Sequence, residues 1–128
     1  MSLKDFILLI EDNDRDIELT RRNLVKGNIK KEVKVIKDGK DAIYFLFVQE
    51  KEPLPKTILL DLNLPFVSGL KILKRIREDE RTKDIIVIVL TEIEKDITAS
   101  YELGANGYLS KNTDAGKMAK IIKNLENI

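Results

Sequence analysis

Four apolar runs in this chain end abruptly on residues that carry charge or a hydroxyl. Residues 6–10 (FILLI) run into Glu11, Asp12 and Asn13, and residues 58–60 (ILL) run into Asp61, with Asn63 just beyond. Residues 85–90 (IIVIVL) stop at Thr91, and Tyr108-Leu109 is followed by Ser110 and Lys111. Crowded carboxylates repel and raise one another's pKa, an arrangement that is costly without a compensating cation. A divalent cation solves that problem. Mg2+ takes oxygen ligands and is typically held by one or two carboxylates plus a phosphate. Asp61 is then free to act as a nucleophile and form an acyl phosphate, while Lys111 and Thr91 neutralise and position the phosphoryl oxygens. An ionised aspartate needs no general base.

Composition narrows the alternatives to this chemistry. The chain has neither cysteine nor histidine, so thiolate or imidazole catalysis, disulfides and His or Cys metal ligands are excluded. Lys and Arg (23) nearly balance Asp and Glu (22), and the net charge of +1 recruits neither nucleic acid nor membrane. No apolar run is long enough to span a bilayer, and the first residues lack a signal-peptide pattern, so a cytoplasmic protein is expected. At 128 residues with 43% hydrophobic content, one domain spanning 1–128 is predicted, with no output domain.

For the reactive residues to meet, the apolar runs must be strands of one sheet pointing the same way. Short β-branched runs alternate with stretches of helical period, which predicts repeated βα units and a doubly wound α/β fold around a parallel sheet. Helices are expected over 14–26, with Ile17, Leu24 and Val25 inward, and from Asp38-Gly39, carrying Ala42, Ile43, Phe45 and Leu46. Pro53 and Pro55 precede the next strand. Further helices follow Gly69 (Leu70, Leu73, Ile76), cover 94–103 with Ile97 and Tyr101 at i, i+4, and cover 114–127 with Ala115, Met118, Ala119, Ile122 and Leu125 as an amphipathic stripe. Val33–Ile36 alternates with Lys34 as an edge strand does. In such sheets ligands bind at the carboxyl edge of the strands, where Glu11, Asp12, Asp61, Thr91 and Lys111 would gather.

The segments FILLIEDNDRD, ILLDLNLPFVSG, IIVIVLT and ELGANGYLSK, in this order and spacing, resemble the receiver domain of two-component response regulators across essentially the whole chain. The resemblance implies a flavodoxin-like fold of five parallel strands in the order 2-1-3-4-5 with five helices. It implies that Asp61 accepts a phosphoryl group from a sensor histidine kinase or a phosphotransfer protein, that Glu11, Asp12, Asp61 and the Asn63 backbone carbonyl hold Mg2+, and that Lys111 contacts the phosphate. Thr91 and Tyr108 become the switch residues, and Asn63 and Ile93 tune how readily water removes the phosphoryl group. Such a receiver is a switch and not a multiple-turnover enzyme. It signals through the face made by the fourth helix, fifth strand and fifth helix, to a downstream protein target or a second copy. The pattern is similar to stand-alone regulators associated with phytochrome-type sensor kinases. One position departs from it: Asn112 follows Lys111 where the family usually has a proline after a cis peptide bond.

Each residue also has a plainer reading. Asp14 and Asp16 read as caps or solvated charges, Thr91 alone as a strand-end cap, Lys111 alone as a surface lysine, and Tyr108 as a half-buried strand aromatic. A phosphorylation-independent interaction module of the same fold is the competing function, and a Mg2+-dependent phosphatase a more remote one. No GxGxxG or GxxxxGK cradle suggests a nucleotide, and the Lys30, Lys31, Lys34, Lys37 cluster reads as a solvated edge.

Overall fold

The computed structural model describes residues 3–127. Along it run β1 (Lys4–Ile10), α1 (Asp14–Lys26), β2 (Val33–Ile36), α2 (Gly39–Ile43), β3 (Pro55–Asp61), α3 (Gly69–Glu78), β4 (Ile86–Leu90), α4 (Glu94–Glu102), β5 (Gly107–Leu109) and α5 (Ala115–Glu126). The strands form one parallel sheet in the order β2-β1-β3-β4-β5.

The apolar runs carry no polar alternation because both faces of the sheet are covered. Side chains alternate across the sheet with period two. Leu8, Ile10, Ile58, Leu60, Val87 and Val89 face Phe45 and Leu46 from the turn that extends α2, and Ile72, Leu73 and Ile76 from α3. Ile7, Leu9, Leu59, Ile88 and Leu90 face Ile17, Leu24, Met118, Ala119 and Ile122 from α1 and α5. The central stretches of β1 (residues 6–10), β3 (58–60) and β4 (86–90) are therefore apolar at every position, whereas β2, at the edge, keeps partly exposed Val33, Lys34 and Val35. No helix among the described residues is long and apolar enough to cross a membrane.

Several local expectations need correction. Val25 is 77% exposed and does not face the core; Leu24 beside it does. Helical period places 24 and 25 about 100° apart, and only one falls on the buried stripe. Pro55 does not precede β3 but begins it, a position where the missing N–H breaks no ladder bond. After α2 the chain widens into a π-helical turn, Tyr44–Val48, that no periodicity announced. In α4 the pair Ile97 and Tyr101 is not the anchor: Ile97 is half-buried, Tyr101 is exposed, and the one fully buried residue is Ser100, whose hydroxyl donates to Ile97 O at 2.8 Å. α4 is thus the most weakly held helix of the five.

Three of the four clustered lysines lie in ion pairs: Lys31 with Asp5 and Glu126, Lys34 with Glu52, and Lys37 with Asp14. The buried Glu126 carboxylate also accepts from Thr57 Oγ1, which ties the end of α5 to the sheet.

Arg77 makes a second tie at the same amino-terminal edge of the strands, beside β4 and β5. Its Nε donates to Gly104 O (2.9 Å), Nη1 to Lys83 O (2.9 Å) and Ile85 O (2.8 Å), and Nη2 to Asn106 Oδ1 (2.8 Å). Asn106 Oδ1 accepts in addition from Val87 N–H, so one guanidinium joins α3 to β4 and the α4–β5 turn. Arg77→Met keeps the apolar stem but leaves these carbonyls without a donor. It is expected to lower stability in urea by about 2–3 kcal/mol, with Arg77→Lys only partly restoring it, because a point ammonium cannot reproduce the fork.

Candidate functional site

Parallel strands bring the residues past their carboxyl ends to one edge. Glu11 follows β1 and is fully buried, and its N–H continues the ladder to Ile36 O at 3.1 Å. Asp12 lies exposed beside it, and Asn13 caps α1 by accepting from Asp16 N–H (3.0 Å). Asp61 closes β3 in register with Leu90 and is 1% exposed. The loop after it folds back tightly: a Cβ on Gly69 would sit 2.5 Å from Asp61 O and 2.6 Å from Leu62 Cα, so only glycine fits under the site.

Carboxylate oxygens of Glu11, Asp12 and Asp61 lie within 4.8 Å of one another. Lys111 Nζ reaches into the group, 3.2 Å from Glu11 Oε1, 3.3 Å from Asp61 Oδ2 and 3.1 Å from Asp16 Oδ2. Yet Glu11 Oε1 and Asp61 Oδ2, both buried, have no hydrogen-bond partner, although the ammonium is within ion-pair distance of each. Two buried carboxylate oxygens without a hydrogen-bond partner, beside a third carboxylate, fit a hard divalent cation by donor type and position.

The electrostatics agree. Burial first, and then the neighbouring Asp61, push the Glu11 carboxyl up to about 8 against the opposing pull of Lys111. Lys111 is held above the usual ammonium value: burial works against it, but Asp16, Asp61 and Glu11 outweigh burial. The sign for metal binding follows. A cation held by Glu11 would require that carboxyl ionised, so below pH 8 its binding would displace the proton, and affinity would fall about tenfold per pH unit. Titration calorimetry at pH 7 in buffers of different ionisation enthalpy is expected to show roughly one proton released per Mg2+ bound, with the release fading above pH 9. Affinity constant between pH 6 and 8 would contradict this.

The other expected residues take varied positions. Thr91, 7% exposed, continues the sheet through its N–H to Leu109 O (3.1 Å), and its Oγ1 accepts from Ile93 N–H (3.1 Å). Asn63 is exposed and donates its N–H to Asp61 Oδ1 (3.0 Å). Ile93 is half exposed at the entry to α4. Tyr108 points outward, edge-on to Tyr101 at 6.3 Å, and Ser110 turns away to donate to Glu92. All described peptide bonds are trans, including Lys111-Asn112. The residue missed from sequence is Asp16, which reads as a helix-start charge but holds Lys111. Its signal was its place in the first turn of α1, three residues after the N-cap Asn13 and close to the strand end that carries Glu11.

The molecule is thus a five-stranded doubly wound α/β domain that carries an acidic cluster and a lysine at the carboxyl edge of its sheet. Residues 7–123 match the response regulator receiver domain family, and the chain belongs to it. It is 39% identical over 126 residues to "Response regulator Rcp1" of Synechocystis sp. (strain ATCC 27184 / PCC 6803 / Kazusa), covering 94% of this chain and 86% of that protein. Among solved structures, it is similar to "Bacteriophytochrome response regulator RtBRR" (39% identity, TM-score 0.83, 97% of this chain and 78% of that one). It is similar also to the Mn(2+)-bound form of response regulator Rcp1 (36% identity, TM-score 0.78, 98% and 94%).

Proposed function

We propose that this receiver relays a signal by accepting a phosphoryl group onto Asp61 from a histidine kinase, of the phytochrome type that the names of its relatives suggest, or from a phosphotransfer protein. The observation that carries the reading is the pair of unpartnered buried oxygens, on Glu11 and Asp61, beside Asp12 and the Lys111 ammonium. In the transfer an Asp61 Oδ attacks phosphorus, the bond from phosphorus to the donor nitrogen breaks, and an acyl phosphate remains; water later cleaves it and restores the carboxylate.

Mg2+, held by Glu11, Asp12, Asp61 and the Asn63 carbonyl, supplies positive charge for the transferred oxygens when bound; a Mn(2+)-bound relative supports a divalent ion here. Lys111 contributes a second positive charge by exchanging carboxylate contacts for a phosphoryl oxygen. Thr91 leaves the Ile93 N–H and turns its hydroxyl to the phosphoryl group, and Tyr108 moves with it. Weakly anchored α4 then shifts, altering the face it shares with β5 and α5, where a downstream protein or a second copy docks. Asn63 and Ile93 flank the path of the hydrolytic water. As a cytoplasmic switch the receiver catalyses only its own phosphorylation and dephosphorylation.

Incubation with Mg2+ and acetyl phosphate followed by intact mass tests the reading. A receiver gains one phosphoryl group and later loses it; an interaction module gains none; a phosphatase turns the donor over continuously.

A further inference from the structure

Lys111 sits in an exposed loop, and what steadies that loop is a carboxylate outside the acidic cluster. Glu92 Oε1 accepts two hydrogen bonds, from Ser110 Oγ at 3.0 Å and from Asn112 Nδ2 at 2.9 Å. Those are the residues on either side of Lys111. Ser110 Oγ accepts in turn from Asn112 N–H (3.2 Å), which closes a ring of three bonds around the lysine's backbone. The two bonds to Glu92 are the only side-chain bonds between the β4–α4 and β5–α5 loops among the described residues. Farther along, Asn23 Nδ2 holds Thr113 O at 3.1 Å, so the loop is gripped after the lysine by α1 and around it by Glu92.

We propose that Glu92 is a positioning residue for the phosphoryl transfer, holding the Lys111 backbone so that its ammonium stays at the Asp61 edge; the inference rests on the phosphoacceptor reading given above. The benefit of such a hold is entropic. A lysine has four side-chain torsions, and a mobile backbone beneath them multiplies the orientations that miss the phosphoryl oxygens. A single carboxylate oxygen bridging both neighbours fixes that backbone, and its charge strengthens each bond. Asn112 has a part that only a donor side chain can fill, since a side chain without an N–H or O–H leaves Glu92 one partner short. Glu92 directly follows Thr91, so the two loops that flank the phosphoryl site are also tied to each other.

The test compares Glu92→Gln with Glu92→Ala. Glutamine keeps an oxygen able to accept both bonds and loses only the charge. With Mg2+ and acetyl phosphate, Glu92→Gln is expected to phosphorylate within about twofold of wild type and Glu92→Ala about tenfold more slowly. In Glu92→Ala, the further change Ser110→Ala/Asn112→Ala should add little. A structural signature accompanies the rates: the 15Nζ resonance of Lys111 should shift and broaden in Glu92→Ala but not in Glu92→Gln. If the charge acted instead by repelling the anionic donor, both variants would be faster than wild type, and the proposal is overturned. Glu92→Ala at the wild-type rate with an unchanged Lys111 resonance overturns it as well. A wild type that gains no phosphoryl group defeats the phosphoacceptor reading and with it a role in transfer; the resonance then shows separately whether Glu92 holds Lys111.

Discussion

Asp61→Asn should gain no phosphoryl group from acetyl phosphate and Mg2+ under conditions in which the wild type gains one. An amide oxygen lacks the charge and nucleophilicity of a carboxylate. The variant should fold at least as well as the wild type. Asp61 is buried against Glu11, and removing its charge relieves the repulsion that, together with burial, holds Glu11 up to about 8. Two measurements check this: intact mass for the phosphoryl group, and proton release on Mg2+ binding, which should shrink at pH 7 as Glu11 returns toward its ordinary range. A variant that still takes up one phosphoryl group would move the acceptor elsewhere, Asp12 being the exposed carboxylate nearest to hand.

Lys111→Met is expected to damage both stability and transfer. The ammonium lies within 3.3 Å of three carboxylates, two of them almost wholly buried, and nothing else positive reaches them among the described residues. Without it the metal-free protein loses about 2–3 kcal/mol at pH 9; this is below the full cost of an orphaned buried charge because the lysine side chain is 25% exposed. The pH dependence has a definite sign. A carboxyl whose folded value is raised keeps its proton while the unfolded chain loses one, so its favourable term is complete below the ordinary glutamate value and is lost as pH rises toward 8. With Lys111 gone, Glu11 rises further. The destabilisation should therefore be smaller at pH 6, where Glu11 stays neutral, than at pH 9. Urea unfolding at the two pH values gives the comparison, and added Mg2+ should recover most of the loss at pH 9. Phosphoryl uptake should slow on the order of 100-fold, the usual cost of removing one charge aimed at a transferred group. Equal stability losses at both pH values would mean that the lysine matters for packing alone.

Much of the architecture was legible because burial on two faces leaves a direct mark in sequence. A run such as 58–60, apolar at every position and ending on Asp61, has few places to go other than the middle of a parallel sheet. The bounds of α1 were legible through the turn formers before it and Gly27 and Asn28 after it; Gly27 does end the helix, and Asn28 takes a left-handed conformation just beyond. The failures came where one residue's rotation or one turn's pitch decided the outcome. Val25 and Leu24 are equally apolar, and only the angle of α1 against β1 and α5 chooses between them. The π-helical turn at Tyr44–Val48 arises where the chain must bring Phe45 and Leu46 onto the sheet, a demand made by packing and not by local propensity. Asp16 and Glu92 looked like ordinary surface acids because their partners, Lys111, Ser110 and Asn112, are distant in sequence.

By itself the sequence determined which residues stand at the carboxyl ends of the strands, since alternating βα units force the strands parallel and put Glu11, Asp12, Asp61, Thr91 and Lys111 on one edge. It also determined the chemistry open to that edge, because a chain without histidine or cysteine has only oxygen ligands and an ammonium to offer. Tertiary structure alone decided which of those groups touch. Placing β1 beside β3, and β5 two strands beyond, brings Lys111 across 100 residues to Glu11 and 95 residues to Asp16. Contacts at that separation depend on sheet order, twist and side-chain reach together, and local sequence encodes none of the three.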